Sequence, residues 1–141
     1  MDVDELRRRA ESGNVAAQSI LGALYLRGQD VEANHTEALR LLSLAAAQGA
    51  SRAMVNLARM YHEGIGTAAD PVAARRWYEQ AAQRGEFVAQ IELARMYVMG
   101  SPMHADPAMA TKWYRAAAAQ EGRVEVCAEL TEAKAYIATK P

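Results

Sequence analysis

The same five residues, Leu-Ala-Arg-Met-Tyr, occupy positions 57–61 and again positions 93–97, a spacing of 36 residues. Aligning the sequence with itself at this spacing brings many more identical residues into register. They are, in three successive copies, Leu21, Leu57 and Leu93; Tyr25, Tyr61 and Tyr97; Gly28, Gly64 and Gly100; Ala38, Ala74 and Ala110; and Ala46, Ala82 and Ala118. A period of this length predicts one structural unit that is repeated along the chain.

Each copy begins with a segment that has the periodicity of an α-helix. These first segments are residues 15–27, 51–63 and 87–99. Their small or apolar residues recur at helical spacings, which predicts one buried stripe on each helix. A glycine follows every first segment, and glycine readily takes the left-handed conformation that ends a helix.

A second helical segment follows a short loop in every copy. It is expected to begin at Asn34, Asp70 or Asp106, because these short side chains can accept hydrogen bonds from the free N–H groups of a helix start. Pro71 and Pro107 come next, at the first helical position, where no N–H donor is required. The sequence pattern of each copy therefore predicts a pair of helices.

One helix pair cannot bury its apolar face alone, so successive pairs are expected to stack. The composition agrees, since alanine is abundant and β-branched residues are few. We predict an all-α fold, an α/α superhelical solenoid of three 36-residue helix pairs with a half-repeat at each end, about eight helices in total. The predicted divisions are an N-terminal half-repeat at 1–13, repeats at 14–49, 50–85 and 86–122, and a C-terminal capping helix at 123–141.

The large side chains of the second helices are expected in the core, with Trp113 as an example. Residues 124–138 resemble another first helix, but Lys134 stands where a tyrosine is expected, and Glu125, Glu129 and Glu132 make the segment more polar. This composition predicts a solvent-facing cap.

Charge and the N-terminus limit the possible functions and locations. The net charge is −1, which gives no overall basic field for nucleic acid. The N-terminal residues are charged and do not resemble a signal peptide, and no apolar stretch is long enough to span a membrane. We expect a cytoplasmic protein, or a periplasmic one if a leader has been removed. The single cysteine is compatible with a reducing compartment.

The reactive residues of the sequence do not form a recognisable catalytic or metal-binding set. His62 and Glu63 lack the second histidine of a metalloprotease helix, since Gly66 stands at that position. Three scattered histidines and one cysteine make a poor zinc set. Cys127 is expected to be a small core residue of an alanine-rich helix. We therefore expect no enzyme activity, no cofactor and no metal.

The motif WYEQAAQRG and its later counterpart WYRAAAAQEG, together with the recurring first helices, resemble the Sel-one-like repeat (SLR) family, a relative of the tetratricopeptide repeat. The resemblance implies an α/α solenoid that acts as a scaffold for protein–protein contact. Cysteine-rich members of the family pair two cysteines in each repeat and have been linked to penicillin binding. This sequence lacks those pairs, so that activity is not carried over.

The resemblance also implies that the first helices line a concave groove, in which the residues between the stripe positions contact a partner. The groove residues expected on this basis are Arg27, Arg52, Val55, Arg59, His62, Glu63, Val88, Ile91, Arg95, Val98 and Met99, together with Ala16, Ser19, Ala23 and Leu26. Their apolar members are expected to be exposed, and an exposed apolar patch often marks a contact site.

The expected partner is a protein or peptide with an apolar anchor and nearby acidic groups. The anchor is predicted to contact Val88, Ile91 and Val98, and a carboxylate of the partner is predicted to reach Arg59 or Arg95. Two alternatives stay open: an inhibitor or immunity-type protein that occludes one enzyme, and a hydrolase acting on cell-wall fragments or β-lactams.

Overall fold

The computed structural model describes residues 2–140, so Met1 and Pro141 of the predicted terminal segments lie outside the described residues. The described chain forms α-helices and contains no β-strand. The helices are α1 (Val3–Glu11), α2 (Val15–Arg27), α3 (His35–Ala47), α4 (Ser51–Glu63), α5 (Pro71–Gln83), α6 (Phe87–Met99), α7 (Pro107–Ala118) and α8 (Ala128–Ala138). The all-α prediction is confirmed, and the described residues contain the eight helices expected. None of these helices has both the length and the apolar character needed to cross a bilayer.

The three first helices end where the glycines predict. Gly28, Gly64 and Gly100 take left-handed conformations with φ of 68°, 70° and 72°, and each donates its N–H to the last turn of its helix. A residue with a Cβ is strained in this conformation, which explains why glycine stands at all three positions.

The second helices begin at the predicted polar residues. Asn34 accepts a hydrogen bond from the N–H of Glu37 at 3.0 Å, and Asp106 accepts one from Met109 at 3.1 Å. Asp70 does the same for the N–H of Ala73 at 3.1 Å, directly before Pro71. The helix-start prediction is thus confirmed in each repeat.

The chain divides into two compact units, with the division between Trp77 and Tyr78 inside α5. In the first unit, α2 packs mainly against α3 and also contacts α1 and α4. The two helices come very close at Gly22, where a Cβ would lie 2.7 Å from Cγ of Leu42. Only a residue without a side chain fits this approach.

The second unit contains α6, α7, α8 and the end of α5. Here α6 packs against α7, and α7 packs against α8. Trp113 and Tyr114 of α7 are buried, as expected for large residues of a second helix, and Leu130 of α8 is buried with them. The ring of Tyr114 also lies against that of Tyr136, with centroids 4.7 Å apart.

A buried glutamine connects three successive helices in the first unit. Gln18 of α2 donates its side-chain amide to the carbonyl oxygen of Ala10 in α1, at 3.2 Å. Its amide oxygen accepts a bond from the side chain of Gln48, which follows α3, at 3.0 Å. We call this arrangement a glutamine bracket, because it satisfies a buried amide while it joins the three helices.

The second unit contains the same arrangement two repeats later. Gln90 donates to the carbonyl oxygen of Ala82 at 3.2 Å and accepts from Gln120 at 2.8 Å. In the repeat between them, Met54 and Arg84 stand at the two glutamine positions. The glutamine bracket is therefore a feature of alternate repeats, which a search at the 36-residue spacing does not reveal.

The start of α8 differs from the sequence prediction. The helix begins at Ala128, whereas a helical segment was expected from residue 124. Cys127 has extended backbone angles at the helix start and is half-exposed, so the prediction that it is a core residue within a helix is wrong. Gly122 has a φ of 93°, and the residues after it form a turn that bonds back to Gln120, which delays the next helix.

Candidate functional site

Two of the predicted groove residues in the first unit are arginines that line the same pocket. Arg27 at the end of α2 and Arg52 at the start of α4 are both exposed and line one surface pocket of about 210 Å³. The pocket is also lined by Ser19, Ile20, Ala23, Leu24 and Asn56, and we call it the arginine pocket. Ser19 and Ala23 were predicted groove residues too, so the structure brings four of the predicted residues together.

The arginine pocket combines apolar surface with two cationic side chains. Ile20 is 52% exposed and contributes apolar surface to the pocket. Neither Arg27 nor Arg52 forms an ion pair with a carboxylate among the residues that the structure describes. Two guanidinium groups next to apolar surface suit a ligand that carries a carboxylate and an apolar group.

The remaining predicted residues of the first unit lie elsewhere. Arg59 pairs with Glu63, with Nε and Oε2 3.4 Å apart, and both side chains are about half exposed. His62 is exposed and Val55 is half-buried, and neither lines the arginine pocket. The guanidinium of Arg59 therefore already has a carboxylate partner on its own helix, which makes it a weaker ligand contact than predicted.

The second unit has a larger pocket, of about 450 Å³, between the first half of α6 and the segment that leads into α8. Its lining residues are Phe87, Val88, Ile91, Glu92, Val124, Glu125, Cys127 and Glu129. We call it the glutamate pocket. Val88 is 51% exposed at its edge, whereas Ile91 is only 1% exposed. The prediction that Ile91 lies on an exposed face is wrong, although it does line this pocket.

The other predicted residues of α6 do not line the glutamate pocket. Val98 and Met99 are exposed near the end of the helix, at 45% and 78%. An apolar anchor in the glutamate pocket would therefore contact Val88 and Ile91 but not Val98, contrary to the predicted combination of three residues.

Arg95 is held by two carboxylates of the chain itself. Its guanidinium bonds to Glu132 of α8, with Nε 3.0 Å and Nη2 2.6 Å from the two carboxylate oxygens, and to Glu92 at 2.6 Å. Tyr114 donates its hydroxyl to the same Glu132. Arg95 thus acts as a structural link between α6 and α8, and it is not a free cation for a partner.

This cluster changes the protonation of its members. The hydrogen bond from Arg95 holds the pKa of the Glu132 carboxyl below its usual value, and the bond from Tyr114 acts in the same direction. Burial raises the pKa of Tyr114, and its bond to Glu132 raises it further. The pKa of Arg95 is also raised, chiefly by Glu132. All three shifts stabilise the protonation states that the hydrogen bonds require.

Sequence reasoning missed several pocket residues for an identifiable reason. Ile20, Asn56 and Glu92 occupy the same position in the three repeats, and all of them line one of the two pockets. The residue at this position differs between the repeats and lies between the stripe positions. The criterion that selected the other groove residues, a place between the stripe positions, could therefore have found it. Glu132 occupies the position of Arg95 after the one-residue insertion, and the opposite charges were a signal of contact.

A metal site was not expected from the sequence. Among residues 2–140 the structure contains no group of three or more histidine, cysteine, aspartate or glutamate side chains placed to hold a metal ion.

Comparison with known proteins agrees with the repeat structure. The Sel1 repeat pattern matches residues 15–49, 51–86 and 88–121. A Sel1 repeat protein from Oxalobacter formigenes, known from its crystal structure, is 39% identical, with a TM-score of 0.81 and 97% of each chain covered. No curated protein has a significant match to the sequence.

A second solved structure is that of c5321, a protective antigen present in uropathogenic Escherichia coli strains that displays an SLR fold. It is 35% identical with a TM-score of 0.80, and the match covers 83% of this chain but only 25% of c5321. The family pattern and both structures agree with the predicted solenoid fold. The chain belongs to the Sel1 repeat family.

Proposed function

We propose that the chain is a non-enzymatic scaffold that binds a protein partner, and that the arginine pocket accepts an acidic, apolar segment of that partner. Sel1 repeat proteins generally mediate protein–protein interaction, and the family is typically non-catalytic. The observation that carries the proposal is the pair of exposed arginines, Arg27 and Arg52, beside the exposed Ile20.

The chemistry of the arginine pocket favours one kind of ligand. A carboxylate bound by a guanidinium forms a charge-assisted hydrogen bond, which is stronger than a bond between neutral groups. Ile20 and Leu24 offer apolar surface next to both cations. We therefore propose that an aspartate or glutamate of the partner contacts the arginines while a neighbouring apolar side chain contacts Ile20. This moves the predicted carboxylate contact from Arg59 and Arg95 to Arg27 and Arg52.

A randomised peptide library displayed on phage tests this proposal with the whole chain as target. Peptides that combine Asp or Glu with a large apolar residue should be enriched. The variant with Arg27→Gln and Arg52→Gln should bind these peptides roughly two- to tenfold more weakly, since exposed charge pairs contribute roughly 0.2–1 kcal/mol each.

The matched control removes two other exposed arginines, Arg76 and Arg115, by the same substitution, and so changes the net charge equally. It should leave the affinity unchanged. Equal weakening in both variants would show a non-specific charge effect, and unchanged binding in the pocket variant would remove the arginine pocket from the proposal.

A further inference from the structure

We propose that the glutamate pocket is a second partner site of opposite charge preference, which binds a large apolar side chain flanked by lysine or arginine. The proposal rests on the proposed function in one respect, that the ligand is a protein or peptide. It concerns a different pocket, and it expects a ligand of the opposite charge.

The interior of the glutamate pocket is apolar. Phe87, Val88, Ile91 and Val124 line it, and Ile91 forms a floor that is nearly sealed from solvent. A volume of about 450 Å³ lies within the range of pockets that enclose small ligands, which is roughly 300–1,000 Å³. One large aliphatic or aromatic side chain, with part of its backbone, fits such a space. Burial of that side chain against the floor provides the hydrophobic part of binding.

The charged residues that line the glutamate pocket all have the same sign. Glu92, Glu125 and Glu129 contribute three carboxylates, whereas no lysine, arginine or histidine is among the lining residues. Glu92 is already paired with Arg95. Glu125 and Glu129 have no hydrogen-bond or ion-pair partner among the residues that the structure describes. Two carboxylates at the edge of an apolar pocket are thus available to a ligand.

The partial positive charge at the N-terminus of α8 offsets the negative charge of these carboxylates only weakly. A helix N-terminus carries an effective charge of about +0.5, which is smaller than that of two carboxylates. Glu129 lies in the first turn of α8, where it already interacts favourably with that partial charge. The charged side chains that line the pocket therefore have a net negative charge, which favours a cationic group next to the apolar anchor.

The two pockets then complement different segments of a partner. An acidic, apolar segment suits the arginine pocket of the first unit, and a basic, apolar segment suits the glutamate pocket of the second. A ligand with the wrong sign meets like charges in either pocket, which discriminates against it.

Selection from the same displayed peptide library, again with the whole chain, tests this inference. A second class of peptides should be enriched, with a large apolar residue next to Lys or Arg. The variant with Glu125→Gln and Glu129→Gln should bind this class several-fold to about tenfold more weakly. The variant with both residues changed to lysine should no longer select the basic class, because two added cations repel the lysine or arginine of these peptides.

Two controls separate pocket binding from general attraction. Glu11→Gln with Glu32→Gln removes two exposed carboxylates of the first unit and should leave binding of the basic class unchanged. Val88→Ser alters the edge of the pocket without changing charge and should weaken binding of the same class. Circular dichroism of each variant verifies that the helices are retained.

The two proposals fail separately. Three results would overturn the inference about the glutamate pocket. The first is that no peptides of the basic class are selected at all. The other two are that the Glu125 and Glu129 variant still binds them equally well, or that the Arg27 and Arg52 variant no longer binds them. Failure to select the acidic class, with the basic class still present, would overturn only the assignment of the arginine pocket.

Discussion

Trp113 combines a large buried surface with an unsatisfied polar atom. The residue is 7% exposed, and its indole Nε1 is buried without a hydrogen-bond partner. The ring also lies under the ammonium group of Lys112, 4.9 Å from its centroid. Trp113 therefore stabilises the fold through its apolar area, while its N–H group opposes burial.

Substitution of Trp113 separates these two contributions. Trp113→Ala should lower the free energy of unfolding by roughly 3–5 kcal/mol, as large core truncations do. Trp113→Phe keeps much of the ring and removes the unsatisfied N–H, so its cost should be clearly smaller. Chemical denaturation followed by circular dichroism measures both variants. A melt of the alanine variant that matches the unchanged protein would place Trp113 outside the core.

Glu132 makes stability depend on pH in a defined direction. Because its pKa is lowered in the folded chain, its contribution is complete above the unfolded value of about 4.3 and is lost as the pH falls through the lower folded value. Glu132 and Arg95 are each about one-third exposed, so solvent reduces the contribution to about 1 kcal/mol.

Glu132→Gln should therefore destabilise the protein at neutral pH, and the difference from the unchanged protein should shrink as the pH falls from about 5 to about 3. Denaturant titrations at several pH values measure this difference. Glu125→Gln serves as the matched control for net charge, because Glu125 makes no ion pair in the described structure. A difference for Glu132→Gln that stays constant with pH would contradict the assigned role of the carboxylate.

Single residues also show where sequence reasoning has limits. The helical stripe predicted Leu57 and Leu93 in the core correctly, and both are buried. Ile91 was assigned to an exposed groove from its helical position, yet it is buried, and the segment before α8 lines the same pocket. That segment follows the turn after Gly122, whose path is not contained in the repeat pattern.

At the scale of helices, the contact of α2 with α3 depends on Gly22. The repeats that follow have Ala58 and Ala94 at the position of Gly22, and they have Tyr78 and Tyr114 at the position of Leu42. In an isolated helix, alanine in place of glycine would be favourable by about 1 kcal/mol. Here the added methyl group would overlap the side chain of Leu42.

Gly22→Ala should thus destabilise the protein by about 1–3 kcal/mol, which is the usual cost of overpacking a core. Thermal and chemical denaturation measure the effect. A double-mutant cycle with Leu42→Ala should show that the two substitutions are coupled, because the smaller residue makes room for the methyl group. A stabilised Gly22→Ala variant would mean that the two helices are farther apart at this point.

The helices themselves were predictable because their ends depend on local chemistry. Gly64 terminates α4 and Asp70 starts α5 through bonds within a few residues of each position. The start of α8 was less predictable, because Cys127 makes no side-chain cap and the turn before it interrupts the period. The pockets depend on contacts between segments far apart in sequence, so only part of their lining was found.

At the scale of the whole molecule, burial is unevenly distributed along the repeats. In α1 only Leu6 and Ala10 are buried, whereas α3 buries five residues and packs between α2 and α4. Stability in a repeat protein is approximately a sum of contributions from each unit and its neighbours, so a terminal half-repeat is held by fewer of them. Local opening should begin there.

Hydrogen exchange followed by mass spectrometry should therefore show faster exchange in α1 than in α2 and α3 under native conditions. The expected order of exchange rates reflects the free energy needed to open each helix. The variant Leu6→Ala should speed exchange in α1 much more than in α3. Uniform protection of the three helices would show that the half-repeat opens only together with the rest of the first unit.

The glutamine bracket has a consequence for how a gene of this kind can change. In both brackets the group that accepts from Gln18 or Gln90 is a main-chain oxygen, which every amino acid supplies. The preceding repeat can therefore change its side chains without losing this bond. Recombination between the two DNA segments that encode Leu-Ala-Arg-Met-Tyr would remove or add 36 codons in frame. The deletion would remove Gln90 together with Ala82, whereas the bracket of Gln18 lies before both segments and is kept in either product. Such a bond lets the number of repeats evolve separately from the residues that contact a partner.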